Sequence, residues 1–424
     1  MFENGVYLSY LESMLSDGDF NIFNQMTSSF DQWMVTQTYH HPDYHSPYVG
    51  VLLLPGYLFY YFNSLFFSSE QISTFFPFQI YIFTRLLILV FIAHLCRKNQ
   101  ENELLTASSV LLLLSSFSWL TFFDASEISF LCLFFTFPIF MDLKSLFNGK
   151  QIHEWRFALN LALFACIKPD ALPWIAGVSL SLIMLKQGKL LIKTGALVIL
   201  AIAQFLLINW MRYEQLIIPH PAVFFYPNSI LHIFFGHNGM LYKSPILLIS
   251  FIGLWMGLFQ STTRRLSLIG ISIIGMKAFI LGGALPTDTE EIANRLFLTE
   301  LPWYGFGLLI LKDRLRINYR TVITVFTPIS LFILFMWLTD LLDGTTDYRI
   351  RTWIGSEALI NGLTHIKYYY LNVYQQLINN LSLICYWSVI TAMITVGYSF
   401  LLRKNEKTKS IQLCFLFALT LISS

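Results

Sequence analysis

MFENGVYLSYLESMLSDGDFNIFNQMTSSFDQWMVTQTYHHPDYHSP, residues 1–47, holds Glu3, Glu12, Asp17, Asp19, Asp31 and Asp43 but no lysine or arginine. The whole 424-residue chain has only 25 acidic residues. The character of the remaining chain decides how this segment is read. The chain is 55% hydrophobic and 12% charged, with 40 phenylalanines and a mean hydropathy of +0.59. A soluble domain carries about 25% charged residues. No water-soluble core could hide this much apolar surface, so lipid is the expected solvent. Cytoplasmic loops of membrane proteins carry an excess of Lys and Arg. An acidic segment without basic residues is therefore predicted to be external, lying against the membrane.

Working outward, residues 3–15 put Tyr7, Leu8, Leu11, Met14 and Leu15 on one helical face. This predicts a short interfacial helix, stopped by the Asp17-Gly18-Asp19 turn. Residues 48–67 are apolar, tyrosine-rich and interrupted by Pro55-Gly56. They read as a juxtamembrane or re-entrant helix, because the next run also begins outside. From there the basic clusters alternate. Runs 76–95, 128–147, 171–185, 244–260, 296–311 and 379–402 each end at Lys/Arg. Runs 103–121, 157–167, 190–210, 266–283 and 322–341 lead away from it. The prediction is an all-α, polytopic transmembrane bundle of about ten to twelve helices. Residues 76–341 form its body, with external loops at 211–243 and 284–295, an external segment at 342–378 and C-terminal helices at 379–424. No basic n-region opens the chain, and its last run stops at about 14 residues, short of the ~20 a span needs. Both ends read as cut, and a first transmembrane helix is expected to be missing.

Several chemistries have no support in the sequence. The five cysteines lie in or beside apolar runs without ligand spacing, so neither a disulfide framework nor zinc is expected. There is no P-loop, dinucleotide fingerprint or H-E-x-x-H. No basic patch faces a soluble domain, so no nucleic-acid partner is expected. Pro42 and Pro47 argue against the helix on which His41 and His45 would share a face, so they do not read as a metal pair; His232 and His237 are substrate-contact candidates.

On the predicted topology the acids gather at the external face, with Asp124 and Asp170 at helix ends. Carboxylates there can act as general bases or hold a divalent cation, Mg or Mn. The few basic groups facing them suit a phosphate. The pairing suggests chemistry on a lipid-linked phosphate; solvated loop charges are the plainer reading. Lys168 reads either as a phosphate ligand or as a partner of Asp170. Arg85, in mid-run, reads as structural.

Residues 3–24 (ENGVYLSYLESMLSDGDFNIFN) resemble the first external loop of the polytopic, polyprenyl-phosphate-sugar-dependent glycosyltransferases of the GT-C class, which includes protein mannosyltransferases and lipid A aminoarabinose transferases. SPYVGVLLLPGY (46–57), FFDASE (122–127), IKPDALPW (167–174), FFGHNGMLYKSPILL (234–248) and ANRLFLTELPWYGFGL (293–308) resemble later family segments. The similarity covers residues 3–310, and its specificity lies in the order of the motifs. It implies that an external carboxylate activates an acceptor on a lipid, glycan or protein. The acceptor then attacks a sugar carried on polyprenyl phosphate. Glu3 stands where the family has an Asp, four residues before Tyr7; Glu3, Asp17 and Asp19 remain alternative bases, and Asp124 matches the second acidic position. Lys168 and Arg295 would meet the phosphate, with Asn24 and Tyr7 at the donor. The family's Lys-Pro-Pro is Ser46-Pro47-Tyr48 here. The expected location is a bacterial inner (plasma) membrane, with the site facing the periplasm. The rival expectations are a lipid or glycan transporter and an inactive fragment of such a transferase.

Overall fold

The computed structural model describes residues 48–64, 76–115, 128–167, 171–213, 233–234, 244–284 and 297–342. Every regular element among them is helical. The α-helices are α1 (Tyr48–Ser64), α2 (Phe76–Lys98), α3 (Asn102–Leu114), α4 (Leu133–Phe147), α5 (Glu154–Ile167), α6 (Leu172–Met184), α7 (Gly188–Tyr213), α8 (Pro245–Gly257), α9 (Arg264–Ala284), α10 (Leu301–Leu315) and α11 (Tyr319–Leu342). One helical turn, Ile128–Leu131, precedes α4, and a 3-10 turn, Phe297–Glu300, precedes α10. Two helical stretches among the described residues, Ser129–Phe147 and Gly188–Leu207, are long and apolar enough to cross a membrane. The first is mostly buried; the second is mostly exposed.

The local sequence explains where these helices begin and end. Pro173, Pro245 and Pro302 sit in the first turns of α6, α8 and α10, where a missing N–H costs no helical bond. Helix α4 ends at Asn148-Gly149, with Gly149 left-handed at φ 72°. The Gly149 N–H then donates to the Leu146 carbonyl and the Lys150 N–H to that of Ser145, closing a Schellman motif. Gln100 and Lys186 make the same turn after α2 and α6 without the help of glycine.

Three boundaries differ from expectation. Within the run predicted at 103–121, a helix spans Asn102–Leu114 and Ser115 turns extended; residues 116–121 lie outside the described residues. The run predicted from 296 begins as a 3-10 turn and becomes α-helical at Leu301, next to Pro302. Pro55-Gly56 does not break its helix: α1 runs through both residues. Gly56 instead lets α1 lie against α2, since a Cβ there would overlap the Ile80 carbonyl.

Side-chain contacts fix the helix directions. Arg85 meets Phe130 and Phe91 meets Phe134, so α2 runs parallel to the stretch leading into α4. Lys193 bonds Glu154 and Cys166 bonds the Ala201 carbonyl, which makes α5 and α7 parallel. Gly177 packs on Ile273 while Trp174 lies beside the Lys277 partner Glu300, so α6 and α9 are antiparallel. Gly305 meets Ser108 and Lys312 bonds Glu103, setting α10 antiparallel to α3. Helices α8 and α10 approach through glycine. A Cβ on Gly253 would overlap the Gly307 carbonyl, and one on Gly307 the Ser250 carbonyl. Gly253 and Gly257 form a GxxxG pair, the pattern that lets helix backbones touch without a hydrophobic driving force. Helix directions agree with the alternation of charge in the sequence. Most Lys/Arg-bearing termini lie at one end of the bundle, called here the basic end; the C-terminus of α7, with Arg212, lies at the other.

Candidate functional site

The opposite end holds the one fully buried ion pair among the described residues. Lys277, in α9, is 1% exposed, and Glu300, closing the 3-10 turn, is 0% exposed. The Lys277 Nζ donates to Glu300 Oε2 at 2.8 Å and to the Thr299 hydroxyl. The Trp174 indole N–H, from the first turn of α6, donates to Glu300 Oε1 at 2.9 Å. The Thr299 hydroxyl lies 2.9 Å from both carboxylate oxygens. Both oxygens of Glu300 are thus engaged, by groups from three separate parts of the chain.

An aromatic layer seals the cluster. Trp303 stands edge-on to Phe140 with centroids 4.8 Å apart, and lies 5.9 Å from Trp174. Gly270 makes room for Trp303: a Cβ there would approach the ring to 2.7 Å. Lys277 also faces the Phe297 ring at 5.8 Å. Such a pair is held without water to screen it. Its desolvation offsets its attraction, while loss of one partner strands the other charge at a cost of about 3–5 kcal/mol. A carboxylate with both oxygens engaged is a poor general base. The cluster is suited to fixing the relation of α6, α9 and the start of α10.

The residues singled out from sequence, Glu3, Tyr7, Asp17, Asp19, Asn24, Asp124, Lys168 and Arg295, lie outside the described residues. So do Asp170, His41, His45, His232 and His237. Three of the segments concerned nevertheless adjoin the buried cluster. The turn Ile128–Leu131, which follows Asp124, packs on the 3-10 turn. Trp174 follows Lys168 by six residues, and Glu300 follows Arg295 by five. Arg85 is buried, with its guanidinium carbon 5.3 Å from the Phe130 ring centroid.

Sequence reasoning passed over Lys277 and Glu300, although Trp174 and Glu300 lie inside two of the stretches that carry the resemblance. The signal was a lysine inside an apolar run and a glutamate at the head of another, since intramembrane charges of opposite sign seek each other. Cys96, Cys132 and Cys166 are buried thiols. No group of three His, Cys, Asp or Glu that could hold a metal occurs among the described residues. Comparison with protein-family models, curated proteins and solved structures finds no match.

Proposed function

We propose that this chain is a polytopic membrane glycosyltransferase. It transfers a sugar from a polyprenyl-phosphate carrier to a lipid, glycan or protein acceptor, at the periplasmic face of a bacterial inner membrane. Apolar side chains exposed on α7, such as Ile192, Ile199 and Leu207, support the membrane reading. So does the gathering of Lys/Arg at one end of helices that alternate in direction.

The observation that carries the enzymatic reading is the convergence around Glu300. The elements that follow Asp124, Lys168 and Arg295 in the sequence meet around Glu300, at the end opposite the clustered surface lysines and arginines. In this reading a carboxylate among Glu3, Asp17, Asp19 and Asp124 takes the acceptor's proton as its oxygen attacks the anomeric carbon. The bond to the carrier phosphate breaks, and the leaving phosphate keeps the electron pair. Lys168 and Arg295 stabilise that charge. A divalent cation, Mg or Mn, is the one candidate cofactor.

The test is transfer of radiolabelled sugar from polyprenyl-phosphate donors in membranes containing the chain. Asp124→Asn is expected to abolish transfer with insertion unchanged; full activity in that variant would sink the assignment. A lipid or glycan transporter is the second reading, which polar groups lining a path between helices would favour. Movement of labelled lipid across vesicles without transfer would select it.

A further inference from the structure

At the basic end every described carboxylate already has a cation. Glu101 bonds Lys144, Glu103 bonds Lys312, Asp142 bonds Arg156 and Glu154 bonds Lys193. Asp313 lies 3.7 Å from Lys312. Lys98, Lys186, Lys189, Arg264, Arg265 and Arg314 are exposed at the same end. No described carboxylate there is left to neutralise them. These exposed cations favour an anion at this face.

The flank formed by α5 and α7 shows where. Lys193 donates to Glu154 at 2.9 Å and lies 4.0 Å above the centroid of Trp155. The Trp155 ring is 66% exposed. An exposed Trp beside lysines is what the headgroup level of a bilayer selects. Lys189 lies one turn before Lys193, toward the basic end, and is exposed. In the other direction Leu159 and Leu163 continue the Trp155 face of α5, at four-residue spacing, and are exposed. Leu200, seven residues beyond Lys193 and on the same face of α7, is exposed as well. From the end inward the flank thus offers cation, aromatic ring and apolar stripe, which is the order of groups along a phospholipid.

We propose that the α5–α7 flank seats an anionic phospholipid of the surrounding bilayer. Its headgroup phosphate rests by Lys189 above Trp155, and an acyl chain lies along Leu159, Leu163 and Leu200. The proposal rests on the membrane part of the proposed function and is independent of the glycosyltransferase part. The basic surplus selects an anionic over a zwitterionic lipid, at about 1 kcal/mol, or about fivefold in affinity, per cation near the surface.

The experiment uses the full chain in nanodiscs of mixed phosphatidylcholine and phosphatidylglycerol, and native mass spectrometry of the lipids it retains. Preferential retention of phosphatidylglycerol is expected, falling about fivefold in Lys189→Gln. Lys186→Gln, at the same end but off the stripe, should change retention less. Both lysines are outside the buried core, so folding is expected to persist in either variant. Retention in proportion to the mixture, or equal retention by wild type and Lys189→Gln, overturns the proposal. Displacement of phosphatidylglycerol by inorganic phosphate would overturn the lipid assignment in favour of a free anion. An alkaline carbonate wash separates the two layers. Release of the chain from membranes defeats the membrane reading itself, whereas a retained chain without phosphatidylglycerol preference defeats this inference alone.

Discussion

The two ends of the bundle solve the same electrostatic problem differently. At the basic end, Lys–carboxylate pairs lie at the surface, on tight turns closed by Schellman motifs at Gln100, Gly149 and Lys186. At the other end Lys277 and Glu300 meet in a sealed core, roofed by Trp174 and Trp303. The chemical groups are alike, but the surroundings differ. Water and salt screen the first set, so each pair contributes little. Nothing screens the second, so the pair tolerates no single loss. Burial, not the identity of the ions, decides what each pair does.

The largest expected effect tests that contrast directly. Lys277→Met or Glu300→Ala alone should destabilise the protein by about 3–5 kcal/mol, measured as loss of folded protein on heating in detergent. The double variant Lys277→Met/Glu300→Gln should recover most of the loss, because Gln keeps an acceptor for Trp174 and no charge is stranded. Equal losses in single and double variants would mean that volume, not charge, holds the cluster.

An intermediate effect is expected where a pair is half-buried. Asp142 is buried but its partner Arg156 is about half exposed. Arg156→Gln should cost about 1–3 kcal/mol, between the two extremes; a cost as large as that at Glu300 would erase the distinction drawn between the ends. Gly253→Ala should fall in the same range, about 1–3 kcal/mol, for a steric reason: its Cβ meets the α10 backbone. A melting midpoint unchanged by Gly253→Ala would contradict the close approach of α8 and α10. The smallest effect belongs to the surface. Lys312→Gln, which breaks the 2.8 Å bond to Glu103, should change stability by less than about 1 kcal/mol. Whatever change remains should vanish at high salt.

Much of the basic end was legible beforehand. Lys and Arg after alternate apolar runs agree with the helix directions, because a cation is costly to bury in apolar surroundings wherever the chain places it. Asn148-Gly149 at a stop of the basic end, and Pro173, Pro245 and Pro302 at helix starts of the other end, are boundary marks that local propensity explains. Gln100 and Lys186 carried no comparable mark, since a left-handed glutamine or lysine has no sequence signature. Pro55-Gly56 misled because a break in the chain's own hydrogen bonding was weighed without the neighbour that Gly56 admits.

The other end was legible only in outline. Its candidate residues, Asp124, Lys168 and Arg295, came from motif order, and the buried cluster beside their segments did not. The sequence by itself determined that the described elements are helical, that their apolar runs alternate in direction and that most of their cations collect at one end. Composition and charge act locally along a chain, so they can be read in order. Tertiary structure alone decided that Glu300 would meet Lys277 and, across 126 residues, Trp174. It alone brought the Gly253 backbone against Gly307. Those pairings depend on which helix faces meet, and no run of residues states that until the helices pack.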